Sequence, residues 1–130
     1  MTPSEKNIVR SLVAVAWADG TVKEPEVGMI DSLLWAFGAG EQDEAEIKEF
    51  AKKKRTIKED VRLAELAPDD RELLLAHAAL LTHSDGKQTK AEEKILKYLA
   101  EHLGFSSAQS RPIIEHAKER AEKAGAMSRS

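Results

Sequence analysis

Asp19-Gly20-Thr21-Val22-Lys23-Glu24-Pro25-Glu26 returns sixty-six residues later as Asp85-Gly86-Lys87-Gln88-Thr89-Lys90-Ala91-Glu92. At the same spacing Ile8 matches Leu74, Val9 matches Leu75, Val13 matches Ala79 and Val15 matches Leu81. Beyond the turn, Met29 matches Ile95, Ile30 matches Leu96, Leu33 matches Leu99, Phe37 matches Leu103 and Gly38 matches Gly104. A fixed internal period is read before any motif, because it settles the architecture. Each copy reads as an apolar helix, an Asp-Gly turn, and an amphipathic helix stopped by a glycine. Two copies are fewer than a solenoid needs to close its core, so the expected arrangement is pseudo-twofold packing inside one domain.

Caps and periodicity place the helices. Gly20 and Gly86 stand where a left-handed residue ends the preceding helix, a conformation that lacks a steric penalty only in glycine. Thr89-Lys90-Ala91-Glu92 reads as a capping box opening a helix over 90–103, with Ile95, Leu96, Leu99 and Leu103 on one stripe. In the first copy the matching stripe reads Val27, Ile30, Leu34 and Phe37. The run Leu73 to Leu81 is apolar nearly all round, as in a helix enclosed by others. Between the copies, 41–54 forms a helix with Ile47, Phe50 and Ala51 inward. A shorter helix follows over 57–66, broken by Pro68. Ser106 or Ser107 caps a last helix that holds Pro112 near its first turns and buries Ile113, Ile114 and Ala117. The expected fold is all-α, with seven helices, no strands, a single domain over 1–123 and a flexible tail over 124–130.

Composition narrows the function classes. The 130 residues suit one domain, and 42% apolar content supports a core. Lys and Arg total 20 against 23 Asp and Glu, a net charge of −3, so no global positive field gathers nucleic acid. Zero cysteines remove disulfides, thiolate catalysis and Cys-bearing zinc sites, and fit a cytoplasmic location. The longest apolar run is far shorter than the ~20 residues of a membrane span. Lys6 and Arg10 before Leu12 to Ala18 imitate a signal peptide. The same pattern returns mid-chain, where no signal acts, so it reads as a helix. No nucleophile elbow, phosphate-binding glycine loop, dinucleotide fingerprint or zinc-protease helix is present, and the expectation is a protein without enzymatic activity.

The pattern Ala16-Trp17-Ala18-Asp19-Gly20-x5-Glu26, returning as Thr82-His83-Ser84-Asp85-Gly86-x5-Glu92 and followed by Leu99-Ala100-Glu101-His102-Leu103-Gly104-Phe105, resembles the TerB-like family over roughly residues 5–120. That family comprises all-helical bacterial domains named for tellurite resistance, similar also to the N-terminal region of a membrane-linked DnaJ-type co-chaperone. The resemblance implies a cytoplasmic module in metal-oxyanion and general stress responses that acts through protein partners or metal sensing. Two departures stand out: Lys23 replaces the usual capping Ser or Thr, and Thr82-His83-Ser84 replaces a second Ala-x-Ala.

Asp-Gly-x5-Glu also matches the back half of an EF-hand loop. The front half lacks oxygen ligands, with Val15 and Trp17, then Leu81 and His83, so that calcium site is excluded by ligand count. Asp19, Glu26, Asp85 and Glu92 are a candidate divalent-cation set if the pseudo-twofold brings them together. The alternative is turn and cap chemistry, which explains Glu92 better than Glu26 because Lys23 offers no capping oxygen. Four histidines form no i, i+4 ligand pair. His77 reads as a core residue with a hydrogen-bond partner and His102 and His116 as surface residues, while His83 lies beside the second turn. The run Lys52-Lys53-Lys54-Arg55 complements a helix that opens with acids. It also offers a docking patch for an acidic protein, with peripheral membrane association only through such a partner. Trp17 is expected to seal the first turn. Trp35 lies off its helix's stripe, either covering the helix end or anchoring a protein partner.

Overall fold

The computed structural model describes residues 1–18, 20, 22, 24–82 and 90–129, with backbone alone at 25, 121, 122 and 124–129. Among these residues there are seven α-helices and no strand: α1 Pro3–Trp17, α2 Glu24–Ala36, α3 Glu41–Ala51, α4 Ile57–Asp60, α5 Pro68–Thr82, α6 Lys90–His102 and α7 Ser107–Arg129. A 3-10 turn at Leu63–Glu65 precedes α5. The all-helical reading holds.

α1 and α5 pack against each other at the centre, and nearly all of α1 from Ile8 to Ala16 is buried. α5 buries Leu74, Leu75, Ala78, Ala79 and Leu81 but leaves Leu73 on the surface, so it is enclosed on most of its circumference rather than all. Leu12, Leu75 and Leu99 are fully buried, each contributing about 1.5–3 kcal/mol of apolar transfer. α2 lies on α1 and α6 lies on α5.

The repeat reaches further than the sequence reading placed it. Phe37 N donates to Leu33 O at 2.9 Å, Gly38 N to Trp35 O at 3.0 Å and Ala39 N to Leu34 O at 2.9 Å. Sixty-six residues on, Leu103 N donates to Leu99 O at 2.9 Å, Gly104 N to Glu101 O at 3.0 Å and Phe105 N to Ala100 O at 2.9 Å. Both glycines have positive φ, +72° and +88°, the left-handed geometry that closes a Schellman turn. Each turn then throws the chain into a third helix, α3 after Gly40 and α7 after Ser106. The unit is therefore three helices, α1–α3 and α5–α7, and residues 52–67 join the copies. Ser106 caps α7 in a reciprocal pair with Gln109, at 3.2 and 2.9 Å.

Several expectations change. The buried face of α2 is Glu26, Ile30, Leu33 and Leu34 with half-buried Phe37, so Ile30, Leu34 and Phe37 face inward as expected while Val27 turns outward to 45% exposure. Its partner face on α6 is Glu92, Leu96, Leu99 and Ala100 with Leu103, in the same register. α3 ends at Ala51 rather than 54, because side chains take its last carbonyls: Arg55 Nε donates to Phe50 O and Trp17 Nε1 to Ala51 O, both at 2.9 Å. The helix expected over 57–66 is one α-turn and one 3-10 turn. Thr56 Oγ1 accepts from Glu59 N and Asp60 Oδ2 from Thr56 N, completing a cap within a single turn. Val61 is then extended, which lets Ile57, Val61 and Leu66 all reach the core. Pro112 stands inside α7. That helix continues past 123, the limit set from sequence, to Arg129.

Candidate functional site

Four features hold the candidate functional residues, beginning with the acidic set. Glu26 opens α2 and Glu92 opens α6, both facing inward at 7% and 8% exposure. A buried carboxylate is tolerated only when it is engaged, and both glutamates have an interaction partner. Asp19 and Asp85 lie outside the described residues, as do Lys23, His83 and the Thr89 cap. Gly20 is described and has the left-handed φ read from the sequence, +99°, with its N–H donating to Trp17 O at 2.9 Å; it stands two residues past the Ala18 C-cap. Among the described residues no three His, Cys, Asp or Glu side chains converge as metal ligands.

The described histidines differ from expectation in two cases. His77 is half-buried on α5, and its Nδ1 is buried without a hydrogen-bond partner among the described residues. Burial, aided by the Arg120 guanidinium, holds its imidazolium pKa below the ordinary value. His102 is not a surface residue: its Nε2 lies 2.8 Å from Val61 O, tying α6 to the connecting segment, and its ring stacks on Tyr98. His116 is exposed and lines an apolar groove of about 520 Å³ between α5 and α7, with Leu73, Ala76, Leu80, Ile113 and Arg120 among its walls.

The basic run divides by role. Lys52 bonds Glu49 at 3.0 Å. Arg55 is half-buried, its guanidinium 3.8 Å from the Phe50 ring centroid and 3.7 Å from Asp60. Lys53 and Lys54 are exposed and make no ion pair among the described residues. Lys54 and Arg55 enter a cleft of about 470 Å³ where the end of α1, the α3–α4 connection and α6 meet. Trp17, Ile57, Ile95 and Tyr98 supply its apolar surface, and Lys58 and Lys94 complete the basic rim. Trp17 is half-buried, and its indole N–H fastens α1 to the end of α3, so it braces the floor of the cleft. Sequence reasoning missed Lys94 and Tyr98. Their i, i+4 spacing around Ile95 marks a shared face of α6, but only the fold shows that 54–58 lies opposite.

Trp35 resolves toward exposure. It is 86% exposed on α2, so the reading in which it covers the helix end does not hold. Val27, Asp31 and Trp35 share that outer face at helical spacing, and all three are exposed.

Neither the curated proteins nor the solved structures contain a match to this chain. The family model described as tellurite resistance protein TerB matches residues 5–115, from within α1 into α7 and across both three-helix units. The match takes in the two Asp-Gly-x5-Glu segments and most of the chain, and the chain belongs to the TerB family.

Proposed function

We propose that this TerB-family chain is a non-enzymatic protein-interaction module, an adaptor or sensor in the cytoplasm of a bacterium responding to tellurite- or metal-oxyanion-type stress. The family description supplies the stress context. The observation that carries the interaction reading is Trp35, a large aromatic side chain held almost wholly in water on a regular helix, next to exposed Val27. Tryptophan is enriched among the side chains that dominate binding energy at protein interfaces. A photo-crosslinking residue in place of Asp31, on the same face, tests the reading in cells. One dominant protein adduct, lost in the Trp35→Ala variant, is expected. No adduct, or adducts indifferent to Trp35→Ala, overturns it.

A second reading, a divalent cation held by Asp19, Glu26, Asp85 and Glu92, is favoured by the burial of both glutamates at matching positions. Both glutamates already have partners, so the reading depends on the two aspartates. Calorimetric titration with calcium, manganese and zinc decides it: heat that disappears in Glu26→Gln supports a site, and its absence removes one.

A further inference from the structure

We propose that the cleft joining α1, the α3–α4 connection and α6 binds an acidic protein segment carrying an apolar side chain. Its carboxylates would rest on Lys54, Lys58 and Lys94 and its apolar group on Ile57, Ile95 and Tyr98. The inference rests on the interaction-module reading and names the chemistry of one partner.

Charge is the first argument. The chain is acidic overall, at −3, yet among the described residues no carboxylate lines this cleft while four cations do. Lys54, Lys58 and Lys94 are exposed and have no ion pair among the described residues, so their fields add at the cleft mouth. Such a rim raises the local concentration of anionic partners and orients their approach. The floor is the second argument. Ile57 is buried, Ile95 half-buried and Tyr98 exposed, a graded apolar surface inside a cleft of about 470 Å³, which accommodates a few side chains. A purely polar anion leaves that surface wet, whereas an aliphatic or aromatic anchor between acidic residues covers it.

The same groups argue against nucleic acid. Single-strand binders present free aromatic faces for stacking. Here one face of Tyr98 is turned to His102, with centroids 6.4 Å apart, and Trp17 is half-buried, so the cleft offers one open aromatic face and not a platform of several. The one arginine in the cleft, Arg55, is engaged with Phe50 and Asp60, so no guanidinium fork is free there for bidentate pairing with a phosphate. What stays available are lysines, point charges that accept a carboxylate in many geometries.

Fluorescence anisotropy with the full chain tests the proposal. The probe is a labelled synthetic peptide in which glutamates flank a Leu-Phe pair. Controls are the same peptide with glutamine for glutamate, and a short oligothymidine strand. Saturable binding of the acidic peptide is expected, weakened by added salt, by roughly tenfold in Lys94→Glu, and further in the combined Lys54→Glu, Lys58→Glu, Lys94→Glu variant. The glutamine peptide should not bind. Failure of the acidic peptide to saturate, unchanged affinity in Lys94→Glu with an unchanged melting curve, or tighter binding of oligothymidine overturns the assignment. Should the triple variant melt early, Lys94→Glu alone decides. Trp35 lies outside this cleft, so a failure here would leave the broader interaction reading to stand or fall on the crosslinking at α2.

Discussion

The groove between α1 and α3 is filled, and the matching groove between α5 and α7 stands open. In the first half Lys6 pairs with Asp43 and Glu46, Arg10 lies 5.8 Å from the Phe50 ring centroid, and Asn7 Nδ2 donates to Glu65 O at 3.1 Å. Residues 57–66 run across that face, and the space remaining is about 40 Å³. Sixty-six residues on, the same positions hold Glu72, Leu73, Ala76 and His116, and the space is about 520 Å³. Helices, caps and glycine turns repeat, whereas the side chains that plug the groove do not. A duplicated frame therefore specifies the backbone twice and leaves each surface to its own residues.

The largest effects should come from the core stripes, where the halves are nearly alike. Leu99 is fully buried and Leu33 is at the edge of burial, so Leu99→Ala is expected to lose about 3–5 kcal/mol and Leu33→Ala about 2–3 kcal/mol in urea unfolding. Equal losses would show that α2 and α6 share the core more evenly than their burial indicates. The two closing glycines come next. A Cβ at Gly38 or Gly104 meets no atom within 4 Å, so only the left-handed backbone opposes it. Gly38→Ala and Gly104→Ala should each lose about 1–2 kcal/mol by thermal or chemical unfolding. A neutral result at either position would break the equivalence of the two turns.

Those turns were readable because glycine at a helix end has one dominant physical meaning, and the repeat supplied a second instance of each. The stripe of α2 was harder. Val27 is the obvious apolar choice, yet Glu26 faces inward, because a buried, partnered carboxylate leaves no hydrophobic signal in the chain. Both third helices were legible, but their kinship was not: α3 opens with Glu41, Asp43 and Glu44, whereas α7 has no acid in its first turn. Lys54 and Arg55 were visible as a run, but their cleft depends on α6 packing beside α4, a tertiary contact that no local pattern encodes.

His77 gives a medium-sized test of the same contrast. Its counterpart Ser11 sends its hydroxyl to Asn7 O at 2.8 Å, whereas His77 Nδ1 finds no partner among the described residues. Replacing an orphaned buried polar atom by an apolar group removes a desolvation penalty, so His77→Leu should gain about 1 kcal/mol at neutral pH. The sign of the pH effect follows from the lowered pKa. The unfolded chain takes up the imidazole proton first as pH falls below about 6.5, so the wild type loses stability on acidification from pH 7 toward pH 5. His77→Leu should lack that component. Identical slopes of melting temperature against pH would place the acid sensitivity elsewhere.

The smallest expected effect probes the open groove itself. Ala76 stands where the first half has Arg10, and His116 where it has Phe50. Ala76→Arg alone adds a half-buried side chain to existing space and should change stability by no more than about 0.5 kcal/mol. Combined with His116→Phe it rebuilds the cation over a ring, and a double-mutant cycle should yield a coupling of about 0.5–1 kcal/mol. A coupling of that size means the two grooves share a backbone and differ only in what fills them. Zero coupling means that the more extensive packing of α7 on α5 has shifted the helices out of register with α3 on α1. In that case the open groove is a property of the frame and not of its side chains.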